Sequence, residues 1–329
     1  MNKVLLIDAD STIPNLALMK LSSWYKNRGF SVELIKLSVP YYPNRKKVDH
    51  HIDTEGYYST LCSSIYLGSY KHVIGDNITF GGSGFSLVDC LPSDIEGLDP
   101  DYSIYPENDI SYGFITRGCI RNCSFCIVPK KEGFLHRCSS VGKIVKHKKV
   151  SFLDNNILAY NKVTDIFNEL IDKNIKCQFK QGFDIRLATE HTSLLMSKLN
   201  YFGDYIFAFD NVKDFEKIRR NLGLFTWRRP FSFKFYVYID KNTPIKDVLF
   251  RINFLKKEKC LAYIMRDINC WDSDSINKNF FIDIASYCNQ PGLFKKLDFF
   301  QFMSLRVNNI RRFNSSIGLY YRGILKGNL

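Results

Sequence analysis

The sequence has no apolar run long enough to cross a membrane as a helix. Charged and polar residues interrupt every hydrophobic stretch of the 329-residue chain before it reaches the roughly 18 residues that a membrane span requires. The N-terminus enters a strand-like pattern directly, without the basic and apolar segments of a signal peptide. We therefore expect a cytoplasmic protein with no membrane partner.

A disulfide framework is also missing. Seven of the ten cysteines are scattered without the regular spacing of a disulfide-rich secreted domain. They are Cys62, Cys90, Cys138, Cys177, Cys260, Cys270 and Cys288. We interpret them as reduced thiols, mostly in the core, which agrees with a reducing compartment.

Acidic residues are scarce in the second part of the chain. Residues 1–110 carry 9 Lys and Arg against 14 Asp and Glu, whereas residues 111–329 carry 37 against 19. The basic part suggests an anionic partner such as RNA, DNA or a nucleotide. Lysine-rich, solvated helix faces would produce the same counts without binding anything.

The three remaining cysteines form a compact motif. Cys119, Cys123 and Cys126 follow a C-x-x-x-C-x-x-C spacing within one short segment. Buried apolar cysteines, a zinc site that lacks its fourth ligand and part of a disulfide set are the alternatives. Zinc sites usually have paired C-x-x-C turns or a nearby histidine, so three thiolate ligands of an iron-sulfur cluster are the favoured interpretation.

This motif resembles that of the radical S-adenosylmethionine superfamily. Arg117-Gly118 precedes the first cysteine, and the aromatic Phe125 stands just before the last. The resemblance implies a 4Fe-4S cluster with one iron left for S-adenosylmethionine. It further implies reductive cleavage of that cofactor to a 5'-deoxyadenosyl radical, which abstracts hydrogen from a substrate. A reductant such as flavodoxin or ferredoxin is the implied partner.

The N-terminal region reads as a small α/β domain over residues 1–85. Strands are predicted at Lys3–Ala9, Ser31–Leu37, Tyr58–Leu67 and Lys71–Phe80, with a helix over Ile13–Lys26. This pattern predicts a Rossmann-like, doubly wound sheet with its ligand crevice beyond the strand ends. The glycines of Gly81-Gly82-Ser83-Gly84 suit either a close approach to a ligand or a simple tight loop.

The same region resembles the cobalamin-binding domain that precedes the core of many members of the superfamily. The histidine of the family's cobalt-ligand pattern is missing, because Asp8-Ala9-Asp10-Ser11-Thr12 contains none. His50 and His51 fall in a loop and are interpreted as exposed polar residues. We interpret the domain as a degenerate scaffold, with cobalamin bound without a protein histidine or not at all.

A proline-rich, acidic linker is predicted at 86–110, followed by a repeated strand and helix pattern over 111–290. Strands are predicted at Tyr112–Thr116, Val150–Asp154, Cys177–Gln181, Tyr205–Phe209, Phe233–Ile239 and Leu261–Arg266, and helices at Ser140–Lys148, Val163–Asp172, Thr189–Leu199, Val212–Leu222 and Ile245–Lys257. Six such units predict a partial (β/α)6 barrel, the form that radical S-adenosylmethionine cores have.

Candidate cofactor ligands follow the predicted strands, since active sites of parallel barrels collect at the carboxyl strand ends. Asp154 and Asn155 stand where the family holds the cofactor's amino group, although an Asx turn is the alternative for Asp154. Gln181 and Arg186 follow the third strand. Arg186 suits a bidentate grip on the cofactor carboxylate, and an ion pair with Asp184 is the competing interpretation.

Two further contacts are implied by the resemblance. Asp210 follows the fourth strand at the position from which the family contacts the ribose hydroxyls, and two acceptor oxygens suit a diol. A surface turn is the alternative. Phe125 is expected to present its backbone to the adenine, and a buried aromatic is the alternative there.

The C-terminal extension, residues 291–329, mixes basic and aromatic residues. The set comprises Lys295, Lys296, Arg306, Arg311, Arg312, Arg322 and Lys326 with Phe299, Phe300, Phe302, Phe313, Tyr320 and Tyr321. Such mixtures suit single-stranded nucleic acid, where bases stack and phosphates pair. A helix that closes the open barrel edge is the favoured interpretation, with RNA contact as a second role.

Two classes of function fit these patterns. A radical enzyme explains three ligands together with polar strand ends, whereas a non-catalytic iron-sulfur module for electron transfer or regulation normally saturates its irons with cysteine. Within the enzymes, Thr116–Cys119 and Ile127–Pro129 resemble the tRNA methylthiotransferases. Those have a second cysteine triad and an RNA-binding barrel that are not recognisable here, so a cobalamin-dependent methylase or a small-molecule enzyme stays open.

Overall fold

Strand β1 (Lys3–Asp8) lies inside a four-stranded parallel sheet in the computed structural model, which describes residues 2–37, 48–272 and 277–305. The chain divides into two compact units, Met1–Asn155 and Asn156–Leu329. The boundary predicted near residue 110 lies inside the first unit. The division into residues 1–85, 86–110, 111–290 and 291–329 stays a prediction.

Within residues 2–37 and 48–155, the first unit contains short strands and four α-helices. Its other strands are β2 (Ser31–Lys36), β3 (His50–His51), β4 (Ser59–Ser63), β5 (Val73–Ile74), β6 (Ile78–Gly81), β7 (Ile110–Gly113), β8 (Thr116–Arg117), β9 (His136–Arg137) and β10 (Lys149–Phe152). Its helices are α1 (Leu16–Lys26), α2 (Ser93–Glu96), α3 (Val128–Lys131) and α4 (Val141–Ile144).

The second unit alternates strands with longer helices, and three described helices follow the last described strand. Its strands are β11 (Lys176–Phe179), β12 (Tyr205–Ala208), β13 (Phe233–Ile239) and β14 (Leu261–Arg266). Its helices are α5 (Val163–Asp172), α6 (Glu190–Lys198), α7 (Phe215–Leu222), α8 (Ile245–Lys257), α9 (Lys278–Cys288), α10 (Pro291–Lys296) and α11 (Phe299–Leu305).

The four-stranded sheet has the order β2-β1-β4-β6, and its neighbouring strands are parallel. Alternate residues of β1 face opposite sides of the sheet. Val4 and Leu6 pack with Leu18 of α1, whereas Leu5 and Ile7 pack with Cys62 and Val73 on the other face. Burial on both faces explains why β1 is an uninterrupted apolar run.

Parallel pairing continues in both units. Strands β7 and β10 pair in the first, and β12, β13 and β14 form a parallel sheet in the second. The α/β class expected from the sequence is therefore confirmed, with mostly parallel sheets. None of the helices in residues 2–37, 48–272 and 277–305 combines the length and the apolar character of a membrane span.

Aromatic packing fills the core of the second unit. Phe207, Phe225, Phe233 and Phe235 are buried, with ring centroids of neighbouring pairs 4.9 to 5.7 Å apart. Along β13, alternate residues are buried and half-buried. The bounds of β13 are those predicted from the sequence.

Several predictions of local structure are wrong. His50 and His51, expected in a loop, form β3, and the predicted strand Tyr112–Thr116 is divided between β7 and β8.

Two other predicted elements are broken or shortened. Lys71–Phe80 does not form one strand, because the turn at Gly75-Asp76-Asn77, with Asn77 at φ 53°, separates β5 from β6. The helix predicted at Ser140–Lys148 is only the four-residue α4. The Ser111 hydroxyl accepts hydrogen bonds from the backbone amides of Lys146 and His147, which draws the chain out of the helix.

Part of the C-terminal extension is helical and packs through its aromatics. Phe299 and Phe302 of α11 are buried, and Phe302 contacts Tyr287 of α9 with ring centroids 5.4 Å apart. This packing favours a structural role for residues 299–305. The predictions on Arg306, Arg311, Arg312, Phe313, Tyr320, Tyr321, Arg322 and Lys326 lie outside the described residues.

Candidate functional site

The three clustered cysteines lie on a closed loop, residues 118–134, which we call the cysteine loop. It leaves β8 and returns through α3 to β9, which pairs antiparallel with β8. The Cys119 amide donates a hydrogen bond to the Gly133 carbonyl at 3.3 Å. This bond joins the beginning of the loop to its end.

Gly118 makes the closure possible. Its φ is 81°, and a Cβ atom at this position would collide with the Phe134 carbonyl. Only glycine adopts such a backbone without strain and leaves room for the returning chain. The glycine of the Arg-Gly-Cys motif therefore has a structural reason.

The three cysteine thiols are half-buried on this loop. The Arg121 amide donates to Cys119 Sγ at 3.3 Å, and the Cys126 amide donates to the Cys123 carbonyl at 3.0 Å. In residues 2–37, 48–272 and 277–305, no set of three His, Cys, Asp or Glu side chains is gathered tightly enough to hold a metal ion. The type and spacing of the three donors fit a cluster, and gathering them requires the thiols to turn toward one point.

The other seven cysteines differ from these three in chemistry. Cys62, Cys177, Cys260, Cys270 and Cys288 are buried, as expected of core thiols, whereas Cys90 and Cys138 are exposed. Burial raises the pKa of the first four of these to about 12. Such thiols stay protonated at neutral pH and are poor metal ligands.

Asp154 and Asn155 hold the entrance of the cysteine loop. Asp154 Oδ1 accepts from the Thr116 amide at 2.6 Å and the Thr116 hydroxyl at 2.8 Å, and Oδ2 accepts from the Ile115 amide at 3.2 Å. Asn155 Oδ1 accepts from the Gly118 amide at 2.9 Å. These two residues therefore position the loop, and their contact with the cofactor's amino group stays a prediction.

Phe125 is 40% exposed, so the alternative of a buried aromatic is wrong. Other apolar side chains of the loop are exposed as well, most of all Phe134 at 89%. The predicted contact of the Phe125 backbone with adenine is not tested by this placement.

The Arg186 guanidinium in the second unit is bound by two carboxylates. Nε and Nη2 donate to Asp184 at 2.6 and 3.1 Å, and Nη1 donates to Asp214 at 2.7 Å. The competing ion pair with Asp184 is therefore present. These contacts use three of the five guanidinium N–H donors, and a contact of Arg186 with the cofactor carboxylate stays a prediction.

Asp210 lies at the carboxyl ends of β12 and β13. Its Oδ1 accepts from the Tyr238 amide at 3.0 Å, and burial raises its pKa. The fully buried Arg251 donates through Nη1 to the carbonyls of Phe209, Asp210 and Tyr238. Its cation offsets the nearby carboxylate charge. Sequence reasoning missed Arg251, because an arginine in an amphipathic helix is usually interpreted as exposed to solvent.

The second unit brings Asp210, Arg186 and Asp214 close enough for their charges to interact. Gln181 differs, because it is exposed in the turn that follows β11. Sequence reasoning also missed Glu96 and Glu132, the two acids that pair with Arg117 at the entrance of the cysteine loop. The signal for Glu132 was its position as the single acid of residues 117–137, whereas Glu96 is one of several acids in the predicted linker.

The crevice of the first sheet, where doubly wound domains bind ligands, is filled by the chain itself. Asp8 accepts from the Tyr105 hydroxyl at 2.8 Å, and Asp10 accepts from the amides of Ile65 and Tyr66 at 2.7 and 2.9 Å. The side chains of Asp8, Asp10 and Tyr105 are all buried. Groups of the chain itself therefore occupy the carboxyl end of β1, and binding of cobalamin to this domain stays a prediction.

The glycines at and after the end of β6 allow the chain to pass close to the segment that follows β4. A Cβ atom on Gly82 or Gly84 would collide with the carbonyl of Ser64 or Tyr66. Their backbone therefore approaches the chain that follows β4. Of the two interpretations from the sequence, the tight loop accounts for these contacts.

Comparison with protein-family models and with curated proteins finds no match to this chain. Its function is therefore inferred from the residues and their geometry.

Tyr105→Phe should lower the free energy of unfolding by about 1 to 3 kcal/mol, because the buried Asp8 carboxylate loses a donor. Chemical denaturation of the full chain measures this. Tyr58→Phe, at an exposed side chain, is the matched control. Equal stability of Tyr105→Phe and the wild type would contradict the self-filled crevice.

Asp154→Asn should remove a pH dependence of stability. Burial raises the pKa of Asp154 from near 4 to about 6, so the folded protein keeps this proton at pH values where the unfolded chain has lost it. Wild-type stability should therefore fall by about 3 kcal/mol relative to the variant as the pH rises from about 4 to about 6. Denaturation curves across this range test it, and parallel curves would count against a buried carboxylate.

Proposed function

We propose that this protein is a radical S-adenosylmethionine enzyme whose 4Fe-4S cluster is bound by Cys119, Cys123 and Cys126. The observation that carries the proposal is the geometry of the cysteine loop. Three half-exposed thiols share a loop that leaves a short strand through a glycine at positive φ and closes on itself. When bound, the cluster supplies an electron for cleavage of the cofactor's carbon-sulfur bond, which leads to hydrogen abstraction from a substrate.

The residues around the loop support this assignment. Arg121, Lys130 and Arg137 lie on or directly after the loop, and Glu132 is the single acid of residues 117–137. Positive charge near a cluster favours its reduction and attracts an acidic electron carrier, such as a flavodoxin or ferredoxin. The backbone amide of Arg121 donates a hydrogen bond to Cys119 Sγ, which orients this thiol on the loop.

We further infer that strands β7 and β10 to β14 belong to one partial (β/α)6 barrel. Each of the six predicted strands has a counterpart, and the pairings β7 with β10 and β12 to β14 are parallel. In such a barrel the polar residues after each strand face one opening. Asp210 would bind the ribose hydroxyls, and Arg186 and Gln181 would bind polar atoms of the cofactor.

The substrate class we propose is anionic, with RNA or a nucleotide as the leading candidate. The charge of residues 111–329 supports this class, because 37 Lys and Arg outnumber 19 Asp and Glu there. Some of the described basic side chains are already paired with acids, such as Arg228 with Glu258. An anionic substrate would therefore contact other basic side chains of this region.

Cys123→Ala should abolish both iron binding and cofactor cleavage, since two thiolates do not hold a cluster of four irons. Anaerobic reconstitution of the wild type should give about four irons per chain and a brown protein. Iron and sulfide analysis, with chromatography of 5'-deoxyadenosine after reduction, measures both properties.

Cys90→Ala is the matched control, because Cys90 is an exposed thiol of the same unit. It should keep iron and cleavage. Iron loss in this control would mean a fourth cysteine ligand. Iron binding without cofactor cleavage in the wild type would favour a non-catalytic module.

Asp210→Asn should weaken S-adenosylmethionine binding by about tenfold and leave the iron content unchanged, since a charge-assisted hydrogen bond is worth about 1.5 to 3 kcal/mol. Calorimetric titration of the reconstituted protein measures the affinity. Asp204→Asn, at the opposite end of β12 and paired with Lys234, is the control. Equal affinity of both variants would remove Asp210 from the ribose role.

A further inference from the structure

Four charged side chains of the first unit alternate in sign along a chain of ion pairs. Lys20 Nζ lies 2.8 Å from Glu96 Oε1, and Arg117 Nη2 lies 3.0 Å from the same oxygen. Arg117 Nη1 lies 3.0 Å from Glu132 Oε2 and 3.3 Å from Oε1. Arg117 thus uses its two terminal nitrogens for two different acids.

The four residues come from four separate parts of the first unit. Lys20 is on α1, and Glu96 is the last residue of α2 in the predicted linker. Arg117 directly precedes the cysteine loop, and Glu132 follows α3 near the end of that loop. The loop entrance and exit are thereby tied to each other and to the helix that packs on the first sheet.

Two other contacts restrain the ends of the cysteine loop. Lys131 Nζ, also at the loop exit, donates to the Asp89 carbonyl of the linker at 2.8 Å. The Arg117 guanidinium stacks over the Phe114 ring with 4.2 Å to the centroid. Cation stacking and a planar fork restrict the guanidinium to one orientation, which a lysine would not reproduce.

Burial strengthens the Arg117–Glu132 pair most, relative to ordinary surface pairs. The side chains of Lys20, Arg117 and Glu132 are 13%, 24% and 15% exposed, whereas that of Glu96 is 42% exposed. Partly buried charges are less screened by water and salt than exposed ones. The pairs are therefore suited to restrict the motion of the loop.

We propose that Lys20, Glu96, Arg117 and Glu132 form a brace that holds the two ends of the cysteine loop together and anchors them to helix α1. Arg117 is a positioning residue at the centre of the brace. Helix α1, which packs on the four-stranded sheet, would thus contribute to the site through this mechanical link.

The importance of the brace for iron binding rests on the proposed function, while its effect on the loop does not. A loop already held near its bound conformation loses less conformational freedom when it takes up a ligand. Iron retention should then depend on residues that do not contact the cluster. This is the expected property of a positioning network.

Hydrogen exchange of the full-length, iron-free protein tests the brace directly. Glu96→Gln, Glu132→Gln and Arg117→Lys should each accelerate exchange of the cysteine-loop amides, including that of Cys119, by about three- to tenfold. The thermal unfolding midpoint should stay close to that of the wild type. Unchanged exchange in all three variants would overturn the proposal.

Asp99→Asn is the matched control. Asp99 lies in the same linker, and its carboxylate pairs with Lys146 at 2.9 Å, outside the cysteine loop. Its removal should leave exchange of the loop unchanged. If this control accelerates loop exchange as much as Glu96→Gln does, the linker as a whole and not the brace orders the loop.

A second measurement follows iron release to a chelator after reconstitution. Glu132→Gln should release iron several times faster than the wild type and Asp99→Asn. Equal rates of iron release in all three proteins would overturn the claim that the brace helps to retain iron. If the wild type takes up no iron while the exchange results hold, the proposed function fails and the brace stands.

Discussion

The position of the cysteine loop depends on a buried carboxylate. Asp154, at the end of β10, accepts three hydrogen bonds from Ile115 and Thr116, and Asn155 accepts a fourth from Gly118. Without these acceptors the amides would be buried without partners, which is costly. Two adjacent residues of one strand end therefore determine where the neighbouring chain turns into the loop.

The backbone of the loop follows from that turn. Gly118 adopts a positive φ, and the chain returns so closely that no side chain fits at this position. Three thiols are thereby presented on a segment whose two ends are hydrogen-bonded to each other. A loop with fixed ends, whose thiol side chains can still change rotamer, suits the proposed binding of a cluster.

Charge is balanced differently in the two units. In the first, Arg117 is shared by Glu96 and Glu132, which neutralises it beside the cysteines. In the second, Arg251 is buried among backbone carbonyls at the carboxyl strand ends, where burial lowers its pKa to about 10. It remains protonated at neutral pH, and its charge compensates for the carboxylates of Asp210 and Asp214.

Predictions from the sequence succeeded where a local pattern decides the outcome. The apolar runs located β1, β13 and β14 closely, since burial of a strand demands uninterrupted or alternating hydrophobic residues. Five of the seven scattered cysteines are buried, as expected of thiols without the spacing of a disulfide framework. The strand predicted at Lys71–Phe80 is wrong because Asn77 adopts a left-handed conformation. Asparagine tolerates this conformation, but its presence in a sequence does not predict it.

The residue types and their spacing sufficed to identify the α/β class, most strands and the three candidate thiolate ligands, because these depend on periodicity and on donor chemistry. Tertiary structure alone decided the roles of the polar residues. Asp154 supports the loop, Arg186 pairs with two acids, and Tyr105 fills a crevice 97 residues away along the chain at Asp8. Such roles arise from partners brought together by folding, and a sequence does not reveal which distant donor a buried carboxylate will meet.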